Sequence, residues 1–468
     1  MFERKNFMQF GEKIALIAED GSKYSYRDIL YIADLISENI QARSLVFCLT
    51  QNSPGSITGY LSFVQNGIVP LMLNSDMDSE LLDNLITTYR PEYLWIPKKE
   101  KSTNNTGKIL LDVLDYFLIK MPFKKEYLLH DELGLLLTTS GSTGSPKLVK
   151  LSYENILSNA ESISKYLSID ENEKPITVLP MNYSFGLSII NSHIIMGATI
   201  LLTNRSLIES EFWSFLRTYK ATSLSGVPYT FEILKKLRFF KMDLPHLNTI
   251  TQAGGKLNDS LNREFSEFCE EQGKRFFVMY GQTEATARMS YLPHEHSILK
   301  LGSMGIAIPD GEFLLLDESG NILEEPEENG ELVYRGKNVS MGYTFIGTDL
   351  AKGNENNGVL LTGDIAKRDH DGFYYIVGRK KRFIKLFGNR INLDETERLI
   401  KNIISDCICS GRDDEMVIYI TDKSKLKDVN KYIAEKIGIN RRAFLVKYIP
   451  EIPRNLSGKI IYSKLPSK

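Results

Sequence analysis

The strongest local chemical signal in the sequence is Thr138-Thr139-Ser140-Gly141-Ser142-Thr143-Gly144-Ser145-Pro146-Lys147, directly behind the apolar stretch 133–137. Glycines let a backbone bend until several N–H groups converge on an anion, and hydroxyls add further donors. Lys147 contributes a positive charge. Together they suit the β- and γ-phosphates of ATP. The segment is not a Walker A loop, because the spacing from Gly144 to Lys147 does not fit Gly-x4-Gly-Lys-Ser/Thr. Just beyond it, Ser152 is placed to cap a helix whose apolar positions Ile156, Leu157, Ala160, Ile163 and Leu167 share one face.

Such a loop needs rigid elements beneath it, and the sequence interleaves them. Tyr26 opens an amphipathic stretch, 44–49 reads as a buried strand, 54–64 as a helix and 69–73 as another strand. Further apolar runs at 133–137, 199–202, 275–280 and 358–361 each end in turns rich in Gly, Asn or Thr. Strands alternating with helices predict an α/β architecture with largely parallel sheets, in which ligands gather at loops beyond the strand ends. The polar segment 98–108 reads as a loop, and Glu324-Glu325-Pro326-Glu327-Glu328 as a solvated turn.

A chain of 468 residues exceeds one ordinary core, so at least two packed units are expected. Its 42% hydrophobic and 25% charged content is that of a soluble globular protein. No apolar run approaches the length of a membrane span, and the N-terminus lacks a secretory apolar stretch, which together predict a cytoplasmic protein. Cys48, Cys269, Cys407 and Cys409 show no zinc-like spacing and are expected to be reduced thiols. His294 and His296 lack partners for a metal and read as loop residues. The net charge of −2 hides an asymmetry: from Lys380 onward there are 20 Lys and Arg against 11 Asp and Glu. A basic terminal module beside an acidic body points to phosphates, CoA or an acidic carrier protein. The module has no basic stripe interleaved with aromatics, so nucleic acid is not an expected partner.

The first motif does not stand alone. Tyr280-Gly281-Gln282-Thr283-Glu284, Thr362-Gly363-Asp364, the run Gly378-Arg379-Lys380-Lys381-Arg382-Phe383-Ile384-Lys385 with Gly388-Asn389-Arg390, and Pro453-Arg454-Asn455-Leu456-Ser457-Gly458-Lys459 follow in order. In type and order the five motifs resemble those of the AMP-forming acyl-activating enzymes, which include acyl-CoA synthetases, adenylation domains and luciferases. The resemblance covers more than three hundred residues. It implies a large multi-subdomain N-terminal α/β domain with a small β-rich subdomain, residues 1–379, and a small mobile α+β domain, residues 380–468.

The resemblance also implies roles. Thr139, Ser140, Gly141, Ser142, Thr143, Gly144 and Lys147 would cradle the ATP phosphates, with Gly254, Gly255, Gly281 and Gln282 beside the nucleotide. Tyr280 would stack on adenine, and Thr283 would bond the α-phosphate. Glu284 would hold Mg²⁺, a hard cation that takes oxygen ligands. Asp364 would accept from both ribose hydroxyls, assisted by Arg379. Lys459 would serve both the acyl carboxylate and the α-phosphate, where a point charge suits converging anions. Lys381 falls at the hinge position and Gly388 where a glycine lines the pantetheine tunnel, so that domain rotation exchanges one chemistry for the other.

Leu179-Pro180-Met181-Asn182-Tyr183-Ser184-Phe185-Gly186-Leu187 aligns with the family's aromatic gate and acyl pocket, making Tyr183, Ser184, Phe185 and Gly186 candidate lining residues with Pro228. Members that activate α-amino acids usually place Asp where this chain has Ser184, so an α-amino acid is disfavoured.

The part of the chain from Lys380 onward is only 89 residues long and reads as trimmed between Glu397 and Asn430. That leaves the catalytic loops intact and bears on the acceptor. The primary expectation is an acid–thiol ligase that uses ATP and Mg²⁺ to form an acyl-adenylate, then passes the acyl group to CoA or a phosphopantetheine thiol. A stand-alone enzyme loading a small or modified acid onto an acyl carrier protein is the alternative. A nucleotide-binding homologue without catalysis is the non-enzyme alternative, and retention of Lys147, Glu284, Asp364 and Lys459 argues against it.

Overall fold

The structure, a computed structural model, describes residues 4–100, 107–124, 126–138, 147–386, 389–404, 406–437, 439–454 and 460–466. The chain divides into two compact units, Met1–Glu312 with Arg335–Leu360, and Phe313–Tyr334 with Leu361–Lys468.

The first unit is built on two large sheets, and their burial explains their parallel cores. Every residue of the strand Leu45–Thr50 is buried, as expected of a strand covered on both faces. Leu45, Phe47 and Leu49 share a cluster with Val69, Leu71 and Leu73 and with Leu82, Leu85 and Tyr89 of the helix Ser79–Tyr89. Val46, Cys48 and Met72 belong to another, with Ile57, Tyr60 and Leu61 of the helix Pro54–Gln65. Alternate side chains thus leave the strand on opposite faces.

Strands Leu45–Thr50 and Val69–Asn74 pair in parallel, with Tyr93–Pro97 and Leu133–Thr138 parallel on either side. Leu148–Ser152 and then Gly342–Thr344 extend that sheet antiparallel. The other sheet runs Ser223–Gly226, Thr249–Gln252 and Arg275–Tyr280 in parallel, and Ser290–Leu292 closes on the last of these antiparallel. The expected α/β class is borne out.

Two helices bear on the site. Ser152 caps Tyr153–Leu167 as its sequence predicts: its hydroxyl accepts from Asn155 N at 3.0 Å, and its own N–H donates to Asn155 Oδ1 at 2.8 Å. The helix Ser184–Ile194 is buried at all eleven positions, so packing rather than an amphipathic stripe holds it.

In the second unit, residues 364–368 of the strand Val359–Arg368 pair antiparallel with Tyr374–Arg379. A separate three-stranded sheet joins Cys407–Arg412 antiparallel and Phe444–Tyr448 parallel to Glu415–Ile420. Ile400, Ile418, Val429 and Ile433 share its core. All four cysteines are free and buried. No helix among the described residues is long and apolar enough to cross a membrane.

Candidate active site

The strand Leu133–Thr138 delivers the chain to the phosphate-loop candidate; Thr139, Ser140, Gly141, Ser142, Thr143 and Gly144 lie outside the described residues. Lys147 is described. Its Nζ stands 3.4 Å from the ring centroid of Tyr343, a cation–π contact. The Tyr343 hydroxyl in turn donates to Glu284 Oε1 at 2.8 Å. Burial first, and the Glu284 charge second, raise the Tyr343 pKa, so the phenol keeps its proton and remains the donor. Pairing places these groups: Tyr343 lies opposite Val149, two residues beyond Lys147.

Glu284 sits in a short 3-10 turn, Thr283–Ala285, after the strand Arg275–Tyr280. Several bonds fix the turn. Ser340 N donates to Glu284 O at 2.8 Å, Asn338 Nδ2 to Ala285 O at 2.9 Å, and Thr286 Oγ1 to Asn338 O at 2.7 Å. Gly281 is required by close approach, since a Cβ there would run into the Ala287 carbonyl. Gln282 Nε2 donates to the Tyr280 hydroxyl at 3.2 Å.

The acyl motif meets this turn directly. Ser184 Oγ and Thr283 Oγ1 are 3.1 Å apart. Tyr183 is mostly buried, which pushes its phenol up to about 12, and its ring centroid lies 6.3 Å from that of Phe185. Gly254 has φ +81°, and a Cβ there would stand 2.7 Å from the Tyr183 hydroxyl, so glycine answers both strain and space. Gln252 Nε2 steadies the following turn by donating to Gly255 O at 2.8 Å. Pro228 opens the helix Pro228–Lys236 beside Gly255, and Gly186 lies in the first turn of Ser184–Ile194.

On the second unit, Asp364 and Arg379 are register partners, with Arg379 Nε 3.3 Å from Asp364 Oδ1. The Asp364 side chain is 4% exposed and that of Arg379 67%. The Lys381 side chain, Gly388 and Lys459 lie outside the described residues. An antiparallel bridge joins Arg454 and Ile460.

Glu284 suits Mg²⁺, which takes few protein carboxylates and completes its shell with phosphate and water. No cluster of three or more His, Cys, Asp or Glu that could hold a metal occurs among the described residues. His294 and His296 lie in a 3-10 turn, with His294 Nε2 3.2 Å from Glu295. Sequence reading missed Tyr343. The pair Gly342-Tyr343 carries no chemical signature until strand pairing sets it beside Lys147.

The model of the AMP-binding enzyme family matches residues 2–344. The chain belongs to that family. A 2-succinylbenzoate–CoA ligase from Bacillus subtilis is 28% identical to this family member over 97% of the chain and 95% of the relative. The B. subtilis O-succinylbenzoate coenzyme A synthetase solved with AMP superposes with a TM-score of 0.80 at 22% identity, covering 99% and 97% of the two chains. The same enzyme solved with ATP and magnesium ion gives 0.78 at 23%, covering 98% of each. The resemblance carried by the five motifs is borne out.

Proposed function

We propose that this AMP-binding enzyme activates a carboxylic acid with ATP and transfers the acyl group to a thiol, with CoA as the acceptor. The observation that carries the reading is the convergence of Lys147, Tyr343, Glu284, Thr283 and Ser184 in one unit. Kinship with a CoA ligase over nearly its whole length supports the acceptor.

In the first half-reaction an acid oxygen bonds to the α-phosphorus, the bond to the β-phosphate bridging oxygen breaks, and pyrophosphate leaves. Two anions must meet, so fixed cations and donors supply the main stabilisation. Thr283 donates to the α-phosphate, and Ser184 beside it orients the acid. Lys147 neutralises the outer phosphates, and Mg²⁺ held by Glu284 would lower their charge further. Asp364 and Arg379 fix the ribose. In the second half-reaction the thiol sulfur bonds to the acyl carbon, its proton passes to solvent, and AMP departs.

We assign residues 1–379 to ATP and acid binding and 380–468 to a mobile module that carries Lys459 and pivots at Lys381. Buried free thiols support a reducing, cytoplasmic setting, with small anions rather than nucleic acid as partners. Acid-dependent ATP–pyrophosphate exchange over fatty, aromatic, hydroxy, amino and dicarboxylic acids tests the reading. Labelled pyrophosphate should enter ATP with at least one acid class; none doing so, with no AMP formed, overturns it.

A further inference from the structure

Arg288 is 2% exposed. No carboxylate among the described residues pairs with it. Its Nη1 donates to the Tyr166 hydroxyl at 3.2 Å and to Met279 Sδ at 3.3 Å, both uncharged. Its Cζ lies 4.9 Å from the Phe185 ring centroid, and its buried Nε has no hydrogen-bond partner. The nearby His193 is held neutral, its pKa lowered to about 4 by burial first and by the Arg288 charge as well.

A guanidinium removed from water without an anion is costly, and a neutral hydroxyl, a thioether and a ring offset only part of that cost. The group also lies at the acid motif. Phe185 follows Ser184, which touches Thr283, and Met279 precedes Tyr280. We propose that Arg288 receives a second carboxylate carried by the acid substrate, which makes that substrate a dicarboxylic acid. The proposal rests on the ligase reading above. One carboxylate reacts at Thr283 and the other accepts from the guanidinium, which matches carboxylate geometry in a way that a lysine does not.

The test is pyrophosphate exchange by the full chain with matched pairs of acids, each a dicarboxylate and its half-amide of equal length. Wild type should favour the best dicarboxylate by about 100-fold or more in kcat/KM, since a buried site left unpaired discriminates strongly. Arg288→Met should narrow that ratio to about tenfold or less, and Arg288→Lys should recover part of it. The wild-type comparison needs no variant, so a folding defect in Arg288→Met leaves it decisive. Equal use of both pair members, or exchange with monocarboxylates alone, overturns the proposal and leaves the ligase reading standing. Silence with every acid overturns both.

Discussion

The Tyr343 hydroxyl donates to Glu284 Oε1 across 2.8 Å, and that bond ties an edge strand of one sheet to the turn that leaves the other. Lys147 rests on the same ring. The phenol therefore holds an acid at one end and a cation on its face, and keeps both aimed without neutralising either.

Tyr343→Phe removes the donor and keeps the ring. A hydrogen bond to a charged acceptor is worth roughly 1.5–3 kcal/mol, so exchange should fall about 10- to 100-fold and the magnesium requirement should rise. Magnesium titrations of both proteins measure this. Unchanged exchange would show that Glu284 needs no such support.

Gly281→Ala places a methyl against the Ala287 carbonyl. The turn bearing Thr283 and Glu284 must shift, and overpacking of this kind costs roughly 1–3 kcal/mol. A lower melting temperature together with weaker ATP binding is expected. A variant that melts and binds like wild type would remove the reason for glycine here.

His193 is buried and neutral, with a pKa lowered to about 4 from its ordinary value of 6.5. Below the unfolded value the unfolded chain takes up a proton that the folded chain refuses, so stability falls as pH drops from 6.5 towards 4. The loss is on the order of 3 kcal/mol across that window. His193→Asn, which keeps a donor for the Ile189 carbonyl, should lose less. Parallel melting curves from about pH 7 down to about pH 4.5, spanning most of that titration, check this; identical slopes would assign the loss to other groups.

Lys459→Ala should greatly reduce exchange while sparing thioester formation from supplied acyl-adenylate. Lys381→Pro should do the reverse, sparing adenylation and crippling transfer. Equal loss of both half-reactions in either variant would count against domain alternation.

Much of this was legible in residue order. The strand run 133–137, the Ser152 cap and the five motifs announced an α/β enzyme of this family, because buried parallel strands and capped helices leave local signatures. What stayed hidden depends on pairing across long sequence distances. Tyr343 is set beside Lys147 by pairing with a strand far away in sequence. Arg288 has small and apolar neighbours in sequence and reveals itself only through the absence of an acid around it among the described residues. Glu327, in a turn that read merely as solvated, is likewise paired with Lys367 of the strand Val359–Arg368.

The helix Ser184–Ile194 has no solvent-facing side. Altering what the enzyme recognises through this element means altering the interior that keeps it folded. Variants selected for a new acid should therefore arrive unstable, and should need compensating changes in the surrounding layers before they accumulate in a cell.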